Sequence, residues 1–565
     1  MLQVEQTRPT PVIGMPPRRA RQPTTDAAPA AKPARASSRT ATKRAASPES
    51  SRTPPPVAKR SRGAAKKNEN DDVAPAPAPA PRSKRTRATT PAEKAAPKVN
   101  GKPAEKKEVK KKSPVEKKEK VMEPPFIAIP QLPEPVRPCN QIFVWGCGDF
   151  GQFGLGPNPE GMGEKEKPRK QAWVEKKIEE DVVKGGVVAI ASGGMHSLFT
   201  DEQGTVFSMG VNDDAALGRK TVGVPNPDKP DEFLNSDVLG TIPAKVELPE
   251  GYQAVQIAAG DSISAAISNT GELRVWGSFR ANEGALGFAT GMHAQFVPAH
   301  VLPNEKIVQV ATGNNHLLVL TSAGHIYSWG AGEQGQLGRR VVERRKINGT
   351  NPQRVVLGTR GRRAVRIGAG NMHSFAVDER GDVWGWGLNG AGQTGTGARG
   401  AGTDAEAIVQ NPMRVPGLSP DELGNDARVV EISGGDLHTL FLTSDGRVYA
   451  CGRADAAALG LPKDHEALAD GAASVNEPVL VPFPDENDDD PVVHISAGTT
   501  YSAAVTQEGA LYTWGEGSQS ELGQGDKETS VTPGVVVRRE GGKWAATAVS
   551  CGGQHAMALL RPRDA

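Results

Sequence analysis

The first 120 residues contain no phenylalanine, tryptophan or tyrosine. A segment without aromatics, crowded with Ala, Pro, Ser, Lys and Arg, cannot bury enough apolar surface to offset the entropy of ordering its backbone, so residues 1–120 are expected to be disordered. Cysteine is scarce as well. Cys139, Cys147, Cys451 and Cys551 are too few and too scattered for a disulfide framework, and no pair has metal-ligand spacing, which favours a reducing compartment. No stretch approaches the roughly 18 consecutive apolar residues of a membrane span, and the N-terminus has no apolar signal core. The expectation is a soluble intracellular protein with no membrane contact.

Charge divides the chain as sharply as aromatics do. Residues 1–120 hold 30 Lys+Arg against 11 Asp+Glu, whereas residues 121–565 hold 38 against 54, so a net charge of +3 conceals a polycation joined to an acidic body. Within the tail, Lys43 and Arg44 stand fourteen residues before Lys59, Arg60 and Arg62. That spacing reads as a two-part nuclear import signal, with Lys84 to Arg87 as a second candidate and a nuclear import receptor as the partner; the plain alternative is a solvated polycation. Lysines between 106 and 120 suit nucleic-acid phosphate, which would give salt-dependent binding without sequence preference. Ser47, Thr53, Thr90 and Ser113 each precede proline, and phosphorylation there would set negative charge beside the basic clusters.

From Gln141 onward the chain repeats. One signature is an apolar or aromatic residue followed by glycine: Trp145-Gly146, Met209-Gly210, Trp276-Gly277, Trp329-Gly330, Trp386-Gly387, Cys451-Gly452 and Trp514-Gly515. The second is Gly-x-x-His, ending at His196, His316, His373, His438 and His555, with Ile263 and Tyr501 in place of His in the other two copies. Between them lies a hairpin closed by a glycine turn, as at Gly204, Gly271, Gly324, Gly381, Gly446 and Gly509. Each repeat has room for a four-stranded blade, and the pattern predicts an all-β, seven-bladed β-propeller over 141–565, preceded by a linker at 121–140 and the basic tail at 1–120. The last repeat ends without its return strand, and Gln141 to Gly146 supply that missing half. Both ends of the repeat region therefore complete one blade, in contrast to an open solenoid, which would leave edges to cap.

If the glycine turns close one end of each hairpin, the Gly-x-x-His loops and the loops after Trp-Gly share the other face. A histidine recurring in five repeats reads as a bond between blades, not as five copies of an active site. Polar residues on that face that do not repeat are better functional candidates.

The run Trp329-Gly-Ala-Gly-Glu-Gln-Gly-Gln-Leu-Gly338, the Ser-Gly-Gly-x-x-His motif, and the non-repeating pieces Ala259 to Ser262, Trp276 to Arg280 with Gly284 to Gly287, and Gly452 to Ala454 resemble the regulator of chromosome condensation family. The resemblance covers about 141–565. It implies a chromatin-associated nuclear guanine nucleotide exchange factor for the small GTPase Ran, in which a wedge beside the third signature presses near the nucleotide site. The wedge positions here are Ser278, Phe279, Arg280, Ala281, Asn282 and Glu283. Other positions carried over to the GTPase are Asp149, Asp261 and His555, joined by His196, Asn315, Asp436 and His438. Asn315 stands where the family has aspartate and Leu437 where it has histidine.

Such chemistry is ligand displacement. A partner that binds the empty GTPase better than the loaded one weakens nucleotide binding by the same factor, so no covalent nucleophile, cofactor or metal is expected. The competing readings are a scaffold of the same architecture without exchange activity, or one acting on another GTPase, and an enzyme using its histidines as metal ligands or bases. The last conflicts with histidines spread around a ring, since metal ligands converge at about 2 Å. After the fourth signature, Arg339, Arg340, Arg344, Arg345 and Lys346 crowd a basic loop. By the same resemblance it is expected to contact the acidic surface of the nucleosome, histones and DNA together forming the chromatin partner; the alternative is a solvated loop.

Overall fold

Six of the seven Gly-x-x-His turns, counting those with Ile263 and Tyr501, lead into a strand whose residues are all buried: His196–Asp201, Ile263–Ser268, His316–Thr321, His373–Asp378, His438–Thr443 and Tyr501–Thr506. Both faces of these strands are apolar or small, as required where sheet neighbours cover both edges and further sheets cover both faces. The computed structural model describes residues 126–563 apart from 159–161, 398–407 and 485–488. The tail with its import clusters lies outside the described residues, as does most of the acidic stretch from Asp485.

Seven four-stranded antiparallel sheets follow one another. Six use contiguous chain. Blade one contains Val187–Ser192, His196–Asp201, Val206–Gly210 and Ala244–Lys245, and blade two Ala254–Ala259, Ile263–Ser268, Leu273–Gly277 and Gln295–Val301. Blades three to six repeat this order from Ile307, Ala364, Val429 and Val492. Blade seven joins the two ends, in the order Lys165–Lys170, Gln141–Gly146, His555–Pro562, Trp544–Cys551. The pairing runs from Gln141 opposite Leu560 to Gly146 opposite His555, so the closure expected from the half-repeat is present.

The Trp-Gly glycines have φ between +96° and +119°. A Cβ at Gly277 would lie 2.1 Å from the Ser262 carbonyl oxygen, and one at Gly210 2.4 Å from that of Met195. Glycine is therefore needed both for its dihedral and for close backbone approach. At most of these glycines the pairing to the outer strand shifts register, and the chain leaves into a long loop. All such loops open on the same face as the Gly-x-x-His turns. On the opposite face, the hairpin glycines tie blade to blade: Gly204, Gly271, Gly324 and Gly509 each accept a hydrogen bond from the first strand of the next blade at 2.9–3.0 Å.

Phe126 to Asn140, expected to be a linker, lie along this turn face. The Ile127 amide donates to the Ser322 carbonyl at 2.9 Å, Gln131 Nε2 to the Asn269 carbonyl at 3.2 Å, and Arg137 pairs with both carboxylate oxygens of Glu202. Ile127 and Ile129 pack on the core shared by blades three and four.

Closure makes Trp145, fully buried against Tyr501 and Leu522, equivalent to tryptophans inside contiguous blades. Trp145→Ala and Trp514→Ala are expected to lower unfolding free energy by a similar amount, about 3–5 kcal/mol, in chemical denaturation. A much smaller loss for Trp145→Ala would mean that the closing blade is frayed.

Candidate functional site

The recurring histidines lie between blades. His196 Nε2 meets Ser264 Oγ at 2.8 Å, His316 meets Ser374 at 2.8 Å, His373 meets Thr439 at 2.6 Å, His438 meets Ser502 at 2.9 Å and His555 meets Ser197 at 2.8 Å. Each hydroxyl belongs to the next blade and directly follows that blade's own His or its replacement. Four of them donate onward to loop carbonyls: Ser264 to Ala216, Ser374 to Gln336, Thr439 to Gln393 and Ser502 to Ala458. A hydroxyl that donates to a carbonyl accepts from the imidazole, so these rings carry a proton on Nε2. Trp276, Trp386 and Trp514 donate to the same carbonyls as their blade's hydroxyl, at 2.8, 2.9 and 2.9 Å. The residue before Leu-Gly in these loops, Ala216, Gln336 or Ala458, thus presents one oxygen to two donors of the following blade.

His196, His438 and His555 are at most 2% exposed and offer no surface to a partner. Their expected place in a GTPase-binding set is corrected on that ground. Ser278 and Phe279 are likewise buried: Ser278 donates to the His293 carbonyl at 2.7 Å, and Phe279 stacks on Phe288 within the core of blades two and three. They form the base of the wedge, not its contact surface.

The wedge tip is a short hairpin in which Arg280 pairs with Ala285 and Ala281 with Gly284; Arg280, Asn282 and Glu283 are exposed. Asn315 Oδ1 accepts from the Arg280 amide at 2.8 Å, so this replacement of the family aspartate keeps an acceptor where the hairpin needs one.

Asp261 and Asp436 sit together elsewhere, in the mouth of the axial channel. The first variable residue of each Gly-x-x-His turn faces it, namely Gly194, Asp261, Asn314, Asn371, Asp436, Thr499 and Gly553, around a cavity of about 280 Å³. Burial, then the Asp261 charge, pushes the Asp436 carboxyl up to about 6, and Asn371 donates to it. Burial also raises Asp261, against the opposing pull of Arg280.

Asp149 lies apart from this pair, exposed on a groove of about 460 Å³ between blades seven, one and two. The groove adds residues not anticipated from sequence: exposed apolar Phe150, Val222 and Phe296, with Asp213 and Asp237. A signal for some of them was present. Asp149, Asp213, Glu333 and Asp455 occupy one repeat position, the third residue after the signature glycine.

The basic loop is only partly available. Arg339 is half-buried and donates to the Gly349 and Asn351 carbonyls at 3.2 Å, as Arg219 does to Leu239 and Ile242 in blade one. It is a framework residue, which corrects its assignment to a chromatin surface. Lys346 turns inward to Glu283 and Glu333, while Arg340, Arg344 and Arg345 are exposed. Among the described residues no group of His, Cys, Asp and Glu is placed to hold a metal ion.

Comparison with known proteins agrees with this architecture. Residues 141–558 match the model of the RCC1-like domain. The human regulator of chromosome condensation is 34% identical over 439 residues, covering 75% of this chain and 91% of its own length. The guanine nucleotide exchange factor SRM1 of Saccharomyces cerevisiae is 34% identical over 434 residues, covering 73% and 86%. The crystal structure of Prp20p from the same yeast, described with its binding to Gsp1p and histones, superposes with a TM-score of 0.64 at 32% identity, covering 76% of this chain and 93% of its own.

The histidine seams set an acid limit. Burial depresses His196 and His438 to about 4, and His316, His373 and His555 to about 3. The unfolded chain takes up these protons near pH 6.5 and the folded chain does not, so this contribution is intact above about pH 6.5 and is lost as pH falls. His494 has the opposite sign: burial lowers it, but Glu431 prevails and raises it to about 8, so its contribution holds at low pH and is lost as pH rises through that value. His373→Gln, which keeps a donor without titrating, should reduce the slope of stability against pH between 6.5 and 4 by about 1.4 kcal/mol per pH unit. Urea titrations across that range measure it, and an unchanged slope would mean that His373 is already protonated in the fold.

Proposed function

We propose, from the premise that this chain belongs to the RCC1-like family of propellers, that it is a guanine nucleotide exchange factor for a Ran-type GTPase, working in the nucleus on chromatin. One observation carries the reading. Where five blades return a loop carbonyl to the next blade, blade two carries after Trp-Gly an exposed hairpin wedge, on the face that also carries Asp261 and Asp436. A loop released from its framework duty and aimed outward is suited to a partner. Similarity to an exchange factor over most of both chains supports the choice of partner.

The mechanism is differential binding. The protein holds the nucleotide-free GTPase more tightly than the loaded one, and nucleotide affinity falls by the same factor. Arg280, Asn282 and Glu283 at the wedge tip make the contact that a bound nucleotide opposes. The channel carboxylates and the groove acids Asp149 and Asp213 receive basic groups of the GTPase and steer its approach. None of this requires a bond to form or break in the propeller.

The tail supplies address and anchorage: import through Lys43, Arg44, Lys59, Arg60 and Arg62, and phosphate contacts from its lysines. Arg340, Arg344 and Arg345 present planar forks suited to carboxylates on a histone surface.

Two experiments test these parts separately. Release of fluorescent GDP from Ran should slow roughly 10-fold for Arg280→Ala or Asp261→Ala, with unfolding unchanged; wild-type rates in both variants would defeat the site, and absence of release by the wild-type protein would leave a GTPase-binding scaffold. Deleting residues 1–120 should weaken nucleosome binding and flatten its salt dependence. Arg344→Ala with Arg345→Ala should weaken binding to nucleosomes more than to free DNA. Equal losses would show that the loop reads phosphate alone.

A further inference from the structure

The wedge has lost the anchorage that its counterparts enjoy. In five blades the loop after the third strand returns a carbonyl to the next blade: Ala216, Gln336 and Ala458 each to a tryptophan and a hydroxyl, Glu521 to Trp145, and Gln393 to Thr439. Residues 278–294 hold the equivalent run, Gly284-Ala285-Leu286-Gly287, but it is spent on the wedge hairpin, where Gly284 and Ala285 pair with Ala281 and Arg280. The seam beneath is also altered. Ile263 replaces the histidine and Leu317 the hydroxyl that would receive it, so blades two and three meet there through apolar contact. Only the base is pinned from within, by buried Phe279, whose carbonyl accepts from the Leu286 and Gly287 amides at 2.9 and 3.0 Å.

The tip is held from outside, by both neighbouring blades. Arg280 Nε donates to Asp214 Oδ2 of the blade-one loop at 2.8 Å. On the other side, Glu333 Oε2 of the blade-three loop accepts from the Asn282 amide at 2.7 Å, while its Oε1 lies 3.4 Å from Lys346 Nζ. Lys346 in turn reaches Glu283 Oε2 at 2.7 Å. The carboxylates are the sheltered members, with side-chain exposures of 12% for Asp214 and 11% for Glu333 against 47% for Arg280 and 79% for Glu283. Asn315 fixes the Arg280 backbone where the hairpin begins, and two carboxylates on opposite sides of the hairpin define its attitude; one would leave the tip free to swing.

We infer that Asp214 and Glu333 are positioning residues that hold the exchange wedge at a fixed angle, with Lys346 joining Glu333 to the wedge tip. The inference rests on the exchange reading for its kinetic consequence, but its structural content stands apart from it. It also gives Lys346 work on the wedge rather than on chromatin. A wedge that swings still meets the GTPase but presses the nucleotide site less often, which lowers the turnover of the complex more than its formation.

The test uses the full-length protein with Glu333→Ala, Asp214→Ala and Glu333→Gln, the last keeping an acceptor without charge. Amide hydrogen exchange over 280–285 in the free protein should quicken in both alanine variants while the melting temperature holds. In steady-state release of fluorescent GDP from Ran, kcat should fall by about 10-fold for the alanine variants with KM little changed, and Glu333→Gln should lose less than Glu333→Ala. A rise in KM alone would make these carboxylates docking contacts, and wild-type amide protection would show that they do not hold the hairpin; either overturns the inference. If the wild-type protein releases no nucleotide, the exchange reading falls, and amide exchange still decides whether the clamp exists.

Discussion

The structure depends on one unit repeated between blades: a neutral imidazole donating to a hydroxyl of the next blade, that hydroxyl donating to a loop carbonyl, and a tryptophan N–H sharing the same oxygen. The unit lies in a dry seam, where an unmet donor or acceptor costs about 1–3 kcal/mol, so its members constrain one another. The serine or threonine after each His position is present where the preceding blade offers a histidine. It is absent at Leu317, which follows a blade with Ile263, and at Ala556, which follows one with Tyr501. Tyr501 instead spans the seam itself and donates to the His555 carbonyl at 2.7 Å.

This dependence explains why the long loops collect on one face. The glycine turns of the opposite face are short and donate or accept between blades, so they tolerate little insertion. The loops after Trp-Gly need only return one carbonyl before they extend, and the chain places the Ser236–Gly240 helix and its wedge there. In blade two that carbonyl is given up, and carboxylates of the neighbouring blades take over the loop's support. The channel mouth follows the same geometry: the turn residue next to the signature glycine faces the axis in every blade, so two aspartates distant in sequence come to share one small cavity.

Charge is separated as the sequence is. Residues 1–120 are a polycation by composition, and Phe126 to Asn140 run along the turn face. The loop face carries carboxylates around the channel and groove.

Much of this was legible in residues alone. Seven spaced signatures and an unfinished last repeat determine the blade count and the ring closure, because a hairpin lacking its return strand leaves backbone donors and acceptors that only another strand can meet. What sequence could not separate was which polar residues face outward. His438 and Asp436 are two positions apart, yet one is sealed in a seam and the other lines the channel; Arg339 and Arg340 are adjacent, yet one caps carbonyls and the other meets solvent. Nor could spacing reveal that Asp214, Glu333 and Lys346 converge on the wedge from two other blades. Those outcomes belong to the tertiary structure, because burial and partnership are set by the packing of blades that sequence distance does not encode.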